Sequence, residues 1–421
     1  MSQPTATSAS RSPRRISWDA VRVIAVLAVM LGHITHQGPY AHPELNGYPF
    51  RITAQFGAAA LMVVSGYFVC HTVRRGRTGG WLARKLARLL PAYLVAALVT
   101  YLVMRYAGAA FNHQGFGDGW WDFLFGPTSD GRAWVSSWYV PVGSDLVVNL
   151  LMMQGWNQSF IWLDGSYWTL PVQLMVFTGA AVLWSATPWF SGGRDRRVQA
   201  LAWAMVAVPL VLRFWVIGVH NPQPWAYAVV FGLGLHRMHA FAAGIAIWLW
   251  ARDRMTGGHL AVLLAASVAA QDLHLYPDHV QLPSDPARLP SDLGFALMLV
   301  AICAAAKGPD WKFLRPVAPV LGWLAGISYG VYLVHQELGY LLARVLLGAG
   351  FGGWLRLPLV VAAAVLAGWL LTRFVERPAY RRLTAPKRPA PAPRLPPDDF
   401  LPTQRKGSGS GPAPISVGGP S

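Results

Sequence analysis

Residues 18–37 read WDAVRVIAVLAVMLGHITHQ, an apolar run that is long enough to cross a bilayer but carries Arg22 and His33. Their separation of eleven residues returns to nearly the same helix face, about 16 Å further along the axis. An ionisable residue in a spanning helix costs several kcal/mol unless it is paired or hydrated. The pair therefore predicts a functional site. The alternative is an arginine that snorkels to lipid headgroups and a histidine satisfied by a neighbouring residue.

The composition is typical of a polytopic membrane protein. The chain has 421 residues, of which 54% are apolar and 13% are charged, whereas a soluble protein usually carries about 25% charged residues. Cys70 and Cys303 fall in separate predicted helices, so we predict neither a disulfide framework nor a metal site. The polar, basic residues 1–16 are predicted to form a cytoplasmic tail. The first apolar run is predicted to be a retained helix, since no small-residue cleavage site follows it.

Apolar runs of spanning length recur along the chain and predict an all-α protein with about ten transmembrane helices. The predicted spans are 18–37, 52–73, 89–110, 167–187, 198–218, 236–251, 258–273, 292–307, 320–342 and 355–375. Residues 134–153 are predicted to be an interfacial or re-entrant helix, and residues 224–235 to enter the membrane only part-way. These elements form one predicted transmembrane domain over residues 17–382, followed by a disordered Pro/Gly/Ser-rich tail over residues 383–421.

The net charge of +17 is distributed in a way that favours a membrane partner over a nucleic acid. Clusters of basic residues alternate with loops that carry only one or two, which is the positive-inside pattern. This pattern predicts an even number of spans, with both termini in the cytoplasm. The many Ala, Gly, Arg and Pro residues suggest a bacterial genome, so we predict a multi-pass protein of the bacterial plasma membrane.

The densest basic segment is RKLARLLPAY at residues 84–93. Spacings of three and four residues put Arg84 or Lys85 beside Arg88 on one helical face. One interpretation is a juxtamembrane segment that binds anionic lipid, worth about 1 kcal/mol per cation. The other is a site for a phosphorylated cofactor, because the planar guanidinium group matches phosphate oxygens.

Polar residues also interrupt two other predicted helices. The segment GSYWTLPVQLMVF at residues 165–177 carries Trp168 and Gln173. The segment GISYGVYLVHQELGY at residues 326–340 carries a larger polar group, namely Ser328, Tyr329, Tyr332, His335 and Glu337. The predicted helix directions bring polar residues of three helices to a comparable depth in the outer half of the membrane. They are His33 and His36 of the first helix, together with Gln173, His335 and Glu337. Each one alone is explained by packing or hydrogen bonding, whereas their convergence predicts a site beneath a shared outer opening.

Together these motifs resemble the membrane-bound acyltransferase-3 family, which includes sugar O-acetyltransferases and antibiotic-tailoring acyltransferases. The resemblance covers residues 16–382 and rests on the order and spacing of the motifs. These are Arg22 and His33 with ten residues between them, SGYF at 65–68, RKLARLLPAY at 84–93, SYWTL at 166–170, SYGVYLVH at 328–335 and Glu376-Arg377-Pro378.

The resemblance implies an integral-membrane O-acyltransferase that moves an acyl group, expected to be acetyl, from cytoplasmic acyl-CoA to a hydroxyl group. The acceptor would be a glycan, a lipid-linked sugar or another small metabolite. Acyl-CoA would act as a co-substrate, without a tightly bound cofactor. The resemblance implies Arg22 and His33 as catalytic residues, and the convergence of polar residues adds His335 as a further catalytic candidate. The implied donor-binding residues are Arg84, Lys85 and Arg88, and the substrate-binding candidates are Trp168, Gln173, Tyr329, Tyr332 and Glu337.

The chain departs from the family pattern at two positions. Gln173 stands where a glutamate is usual, and glutamine can orient an imidazole but cannot raise its pKa by charge. Lys85 stands where arginine is common, which keeps the charge but loses the planar fork. Two other classes of protein stay open. A secondary transporter or flippase would move a polar metabolite unmodified, and a non-catalytic descendant of the family would not transfer an acyl group.

Overall fold

A computed structural model describes residues 14–73, 78–129, 138–185, 194–212, 214, 224–275 and 287–385. The described residues form helices, turns and one isolated β-bridge between Phe116 and Thr128, so the prediction of an all-α protein is confirmed. The α-helices are α1 (Ile16–Gly32), α2 (Gly38–Ala41), α3 (Gly57–Thr72), α4 (Thr78–Phe111), α5 (Trp120–Leu124), α6 (Gly143–Leu150), α7 (Thr169–Ser185), α8 (Arg194–Leu212), α9 (Pro224–Tyr227), α10 (Met238–Trp250), α11 (Gly257–Leu275), α12 (Arg288–Lys307), α13 (Ala318–Val334), α14 (Glu337–Gly348), α15 (Gly353–Leu371) and α16 (Arg377–Thr384).

Within the described ranges, seven helical segments are long and apolar enough to cross a membrane. They are Ile16–Ala41, Thr78–Phe111, Gly165–Ser185, Trp225–Trp250, Arg288–Lys307, Lys312–Val334 and Gly353–Thr384. The other predicted spans correspond to shorter or more polar helices. α3 is apolar but has only 16 residues, α8 begins with the charged sequence RDRR, and α11 ends with QDLHL. The chain is therefore a multi-pass membrane protein, whereas the count of ten spans and the side of the termini stay predictions.

α1 lies between the two largest hydrophobic clusters of the described chain. Val21 and Ala25 pack into a cluster built mainly from α3, α8, α10, α11 and α12. Met30 and Ile34 pack into a second cluster, to which α4, α13, α14 and α15 contribute. Because protein covers α1 on two sides, its ionisable residues lie between helices.

Two glycines allow α3 and α10 to pack closely. A side chain on Gly66 would collide with the backbone of Phe241, and one on Gly244 would collide with the backbone around Val63. Small residues at helix interfaces let backbones approach, which is the usual packing device inside a membrane. This contact holds α3, which carries the SGYF motif, against the core.

Two predicted helix boundaries are wrong. The third predicted span starts at residue 89, but α4 begins at Thr78, so the basic segment belongs to the same 34-residue helix. The ninth predicted span, 320–342, is two helices. The backbone leaves the helical region at Gln336 (φ −85°, ψ −80°). The first amide of α14, Glu337 N, donates instead to Asp164 Oδ2 at 3.1 Å, so a carboxylate from another segment caps the new helix.

Several other predictions fall partly outside the described residues. In the predicted re-entrant stretch, residues 134–137 lie outside them and residues 143–150 form α6. The predicted tail lies outside them from residue 386 onward, as do residues 1–13. Residues 224–235 form α9 and the π-helix Ala228–Gly232, followed by a turn at Gly234 (φ 63°) that leads into α10.

Candidate active site

The two ionisable residues of α1 lie at different ends of that helix and line different cavities. Arg22 follows the first turn of α1, whereas His33 opens the π-helix His33–Gln37 at its other end. Single π-helical turns inserted in α-helical runs are frequent at functional sites. The structure places these two residues in two separate cavities along the same helix.

The first cavity, called here the basic cavity, has a volume of about 180 Å³. Five of the motifs that carry the family resemblance contribute to its wall. The polar and charged lining residues are Arg22, Ser65, Lys85, Arg88, Thr169, Gln173, Ser328, Tyr329 and Tyr332. Among the described lining residues none is acidic, so the cavity is strongly cationic and suits an anionic ligand.

The cations of the basic cavity are held mainly by aromatic rings. The guanidinium carbon of Arg22 lies 5.1 Å from the ring centroid of Phe68, and Lys85 Nζ lies 5.3 Å from that of Phe177. Arg88 is more exposed and donates to Glu376 Oε1 at 3.3 Å, which ties α4 to the closing Glu-Arg-Pro motif. Cation–π contacts position a cation without neutralising it. Arg22 and Lys85 therefore keep their charge available to a ligand.

Arg84 does not line the basic cavity. Successive residues on an α-helix point about 100° apart, so Arg84 lies on the exposed side of α4 when Lys85 turns inward. Of the three basic residues expected to bind the donor, Lys85 and Arg88 therefore line this cavity and Arg84 does not.

The second cavity, called here the histidine cavity, has a volume of about 80 Å³ and contains His33. Its other polar or aromatic lining residues are Gln55, Phe56, Trp168, Arg237, Gln271 and Tyr332. Ala58 and Tyr332 line both cavities, so they form the wall between them. The cavities therefore lie back to back along α1.

His33 is paired with His335 inside the protein. His33 Nδ1 and His335 Nε2 are 2.9 Å apart, and His335 Nδ1 lies 2.9 Å from the carbonyl oxygen of Tyr332. A carbonyl can only accept, so Nδ1 of His335 carries the hydrogen, and Nε2 of neutral His335 accepts from His33 Nδ1. This chain of donors leaves His33 Nε2 unprotonated, and that nitrogen can act as a base.

A hydrogen-bond network centred on Asp164 joins the SYWTL and SYGVYLVH motifs. Asp164 Oδ1 accepts from the amide (2.8 Å) and the hydroxyl of Ser166, and its Oδ2 accepts from Glu337 N. The Tyr332 hydroxyl donates to the carbonyl of Ser166 at 3.0 Å and lies 3.1 Å from Thr169 Oγ1. These bonds fix the Tyr332 side chain in the wall between the cavities.

The remaining predicted residues divide between the two cavities and the surrounding scaffold. Trp168 lines the histidine cavity, whereas Gln173 lines the basic cavity and is not brought to His33. Tyr329 also lines the basic cavity, and its hydroxyl donates to the carbonyl of Leu89 at 2.9 Å. Glu337 lines neither cavity and opens α14.

Three residues of the site were missed by the sequence reasoning: Asp164, Arg237 and Gln55. Asp164 directly precedes the GSYW sequence, and an acid before an apolar helix is the signal of a cap. Arg237 begins an apolar run, where a basic residue is ordinarily interpreted as a snorkelling helix end. Gln55 lies in the non-helical segment before α3 and carried no periodic signal.

The chain was compared with protein-family models, curated proteins and solved structures. The family model described as an acyltransferase domain, Acyl_transf_3, matches residues 15–373. No curated protein and no solved structure matches. The family match covers most of the chain and confirms the resemblance drawn from the motifs. The chain therefore belongs to the acyltransferase-3 family.

Proposed function

We propose that the protein transfers an acyl group, expected to be acetyl, from acyl-CoA to a hydroxyl group of a small or carbohydrate acceptor. Two cavities that meet at Tyr332 are the observation that carries this proposal. One is lined by three cations, and the other is lined by His33, which is hydrogen-bonded to His335. This arrangement suits a reaction in which an anionic donor and a hydroxylated acceptor enter from opposite sides.

The basic cavity is proposed to bind the donor. Phosphate groups of CoA would interact with Lys85 and Arg88, and Arg22 would lie further along the path of the pantetheine arm. In the orientation that the positive-inside pattern predicts, this cavity would lie on the cytoplasmic side, where acyl-CoA is found. The thioester would then come to lie near Tyr332.

The histidine cavity is proposed to bind the acceptor and to supply the general base. The acceptor hydroxyl gives its proton to His33 Nε2, and its oxygen attacks the thioester carbonyl carbon. The carbon–sulfur bond breaks, the ester is formed, and the CoA thiolate takes up the proton from His33. His335 holds the ring of His33 through the 2.9 Å hydrogen bond and stabilises the transient positive charge.

The first test is CoA release by detergent-solubilised protein with acetyl-CoA and a panel of hydroxylated acceptors, with mass analysis of the ester. We expect release by the wild type and loss of at least about 100-fold in His33→Ala, because general base catalysis contributes roughly 10²–10⁴-fold. His36→Gln is the matched control. It changes a histidine in the same π-helix that accepts from Arg51 Nε at 2.8 Å and does not line the cavity.

Two outcomes would overturn the proposal. Normal ester formation by a folded His33→Ala variant would exclude His33 as the base. The second outcome is transport of an unmodified acceptor across the membrane of proteoliposomes, with no CoA released from acetyl-CoA or a longer acyl-CoA. That result would indicate a transporter.

A further inference from the structure

Arg237 differs from two other buried arginines in the way its charge is satisfied. Arg105 donates to the carbonyl oxygens of Phe123 (2.9 Å), Pro141 (2.7 Å) and Asp122. Arg356 donates to the carbonyl oxygens of Leu45 (2.7 Å) and Asn46 (2.6 Å). Both side chains are at most 1% exposed and hold loops in place. Their hydrogen bonds give them a structural explanation.

Arg237 has no comparable partners among the described residues. Its Nε atom is buried without a hydrogen bond, as is that of Arg356. Its guanidinium carbon lies 4.8 Å from the ring centroid of Trp168, much as Arg356 lies over Tyr48. What Arg237 lacks among the described residues is the set of carbonyl acceptors that binds the other two guanidinium groups. A guanidinium over a ring face keeps its N–H groups directed outward in its own plane. An unpaired cation is costly to bury inside a protein. The burial of Arg237 is therefore better explained by binding of a ligand than by a contribution to the stability of the fold.

The surroundings of Arg237 strengthen this conclusion. In the histidine cavity, which Arg237 lines, none of the described lining residues is Asp or Glu. Gln55, which also lines this cavity, has a buried Nε2 group that lacks a partner. The carbonyl oxygen of Gln271 is already 3.0 Å from His239 Nε2. The cavity therefore offers unpaired donors and a positive charge.

We infer that Arg237 and Gln55 form a subsite for an anionic group, a carboxylate or a phosphate, on the acceptor. This inference rests on the proposed function and narrows its acceptor to hydroxylated anions. A planar guanidinium can bind two oxygens of such a group at once, and the Gln55 amide can add a third hydrogen bond. The volume of about 80 Å³ fits this group and its neighbouring atoms, since a water molecule occupies about 30 Å³.

The test first measures binding without acyl-CoA, so that it does not depend on transfer. Purified wild type is titrated calorimetrically with D-glucuronate, glucose 6-phosphate and glucose. We expect at least one of the two anions to bind at least about tenfold more tightly than glucose, and Arg237→Gln to lose this preference. Arg237→Lys keeps the charge without the fork and should give an intermediate affinity.

Control variants separate lost binding from lost folding. Arg51→Gln removes the same charge from an exposed residue that lines neither cavity and should retain the preference. Arg356→Gln removes a structural arginine and should lower the melting temperature, whereas Arg237→Gln should not. If Arg237→Gln does not fold, Gln55→Met is the second variant, and it should weaken binding of the same anion.

The outcomes distinguish this inference from the proposed function. Equal binding of all three probes to the wild type, or anion binding that survives Arg237→Gln, would overturn the subsite even if CoA release depends on His33. With an anionic acceptor that is acylated, Arg237→Gln should raise its KM and change kcat little. If Arg237→Gln instead lowered kcat for charged and neutral acceptors alike, Arg237 would act at the reacting atoms and would not anchor the acceptor.

Discussion

The basic cavity and the histidine cavity share a wall but hold their polar groups in different ways. In the basic cavity, Arg22 and Lys85 lie against aromatic rings, and Arg88 is an exposed member of an ion pair. In the histidine cavity, His33 is hydrogen-bonded to His335, which in turn donates to the backbone carbonyl of Tyr332. The first arrangement leaves charges free to meet a ligand, and the second fixes one nitrogen in place.

This difference assigns the two cavities to different kinetic parameters. Cations on ring faces contribute to binding an anionic donor before and during the reaction, and a loss of such uniform binding changes KM. A fixed base acts only in the step that transfers the proton, so its loss lowers kcat. Variants of the two cavities should therefore separate into two classes, one with a changed KM and one with a changed kcat.

The largest effect in this comparison is expected from His335. His335→Ala removes the group that holds His33 through a 2.9 Å hydrogen bond, so the base loses its orientation. We expect kcat to fall about 100-fold, with the KM for acetyl-CoA changed less than about threefold. His335→Gln keeps a hydrogen-bond acceptor near His33 Nδ1 and should restore part of the rate. A rise in KM at unchanged kcat would break the proposed division between the cavities.

A smaller effect is expected from Lys85, with Arg84 as a matched neighbour. Lys85→Gln should raise the KM for acetyl-CoA about tenfold and leave kcat within about twofold, because a hydrogen bond to a charged group is lost in both substrate and transition state. Arg84→Gln removes the same charge from the exposed side of α4 and should change KM less than about twofold. Equal effects of the two variants would favour a diffuse interaction with anionic lipid or donor over a defined site.

Much of the site could be predicted from the sequence because its motifs lie on regular helices. The spacing of Arg22 and His33 indicated that α1 carries functional groups at two depths, and the order of the remaining motifs identified the family. The division into two cavities was not predictable in this way. Helical periodicity gives the face of a residue on its own helix but not the rotation of that helix against its neighbours. Gln173 was therefore expected at the depth of His33, and it lines the basic cavity together with Arg22.

The residues that were missed depend on breaks in the helices. Asp164 caps α14 only because the chain leaves the helical conformation at Gln336, inside a stretch whose apolar pattern continues without interruption. Arg237 lies in the 3₁₀ turn Leu235–Arg237 after a left-handed glycine. Tertiary contacts decide such breaks, and they carry a weak local signal compared with the apolar runs on either side.

The smallest effect is expected from Asp310, which lies outside both cavities and serves as a test of their independence. Its carboxylate accepts from the amides of Ser17 (2.9 Å) and Ile16 (3.2 Å) at the start of α1. Burial raises the pKa of Asp310, but these amide hydrogen bonds outweigh it and hold the pKa below the ordinary value of 3.8. The stabilisation is therefore present above pH 3.8 and is lost as the pH falls through the lowered pKa.

Asp310→Asn should consequently lower the melting temperature of the purified protein at pH 7, and this difference should shrink once the pH falls below 3.8. Since the start of α1 touches neither the donor nor the acceptor in the proposed mechanism, kcat and both KM values should stay within about twofold of the wild type at pH 7. A kinetic defect as large as that of Lys85→Gln would mean that the position of α1 couples the two cavities. The changes in KM and kcat caused by variants of the two cavities would then reflect displacement of α1 and not two independent sites.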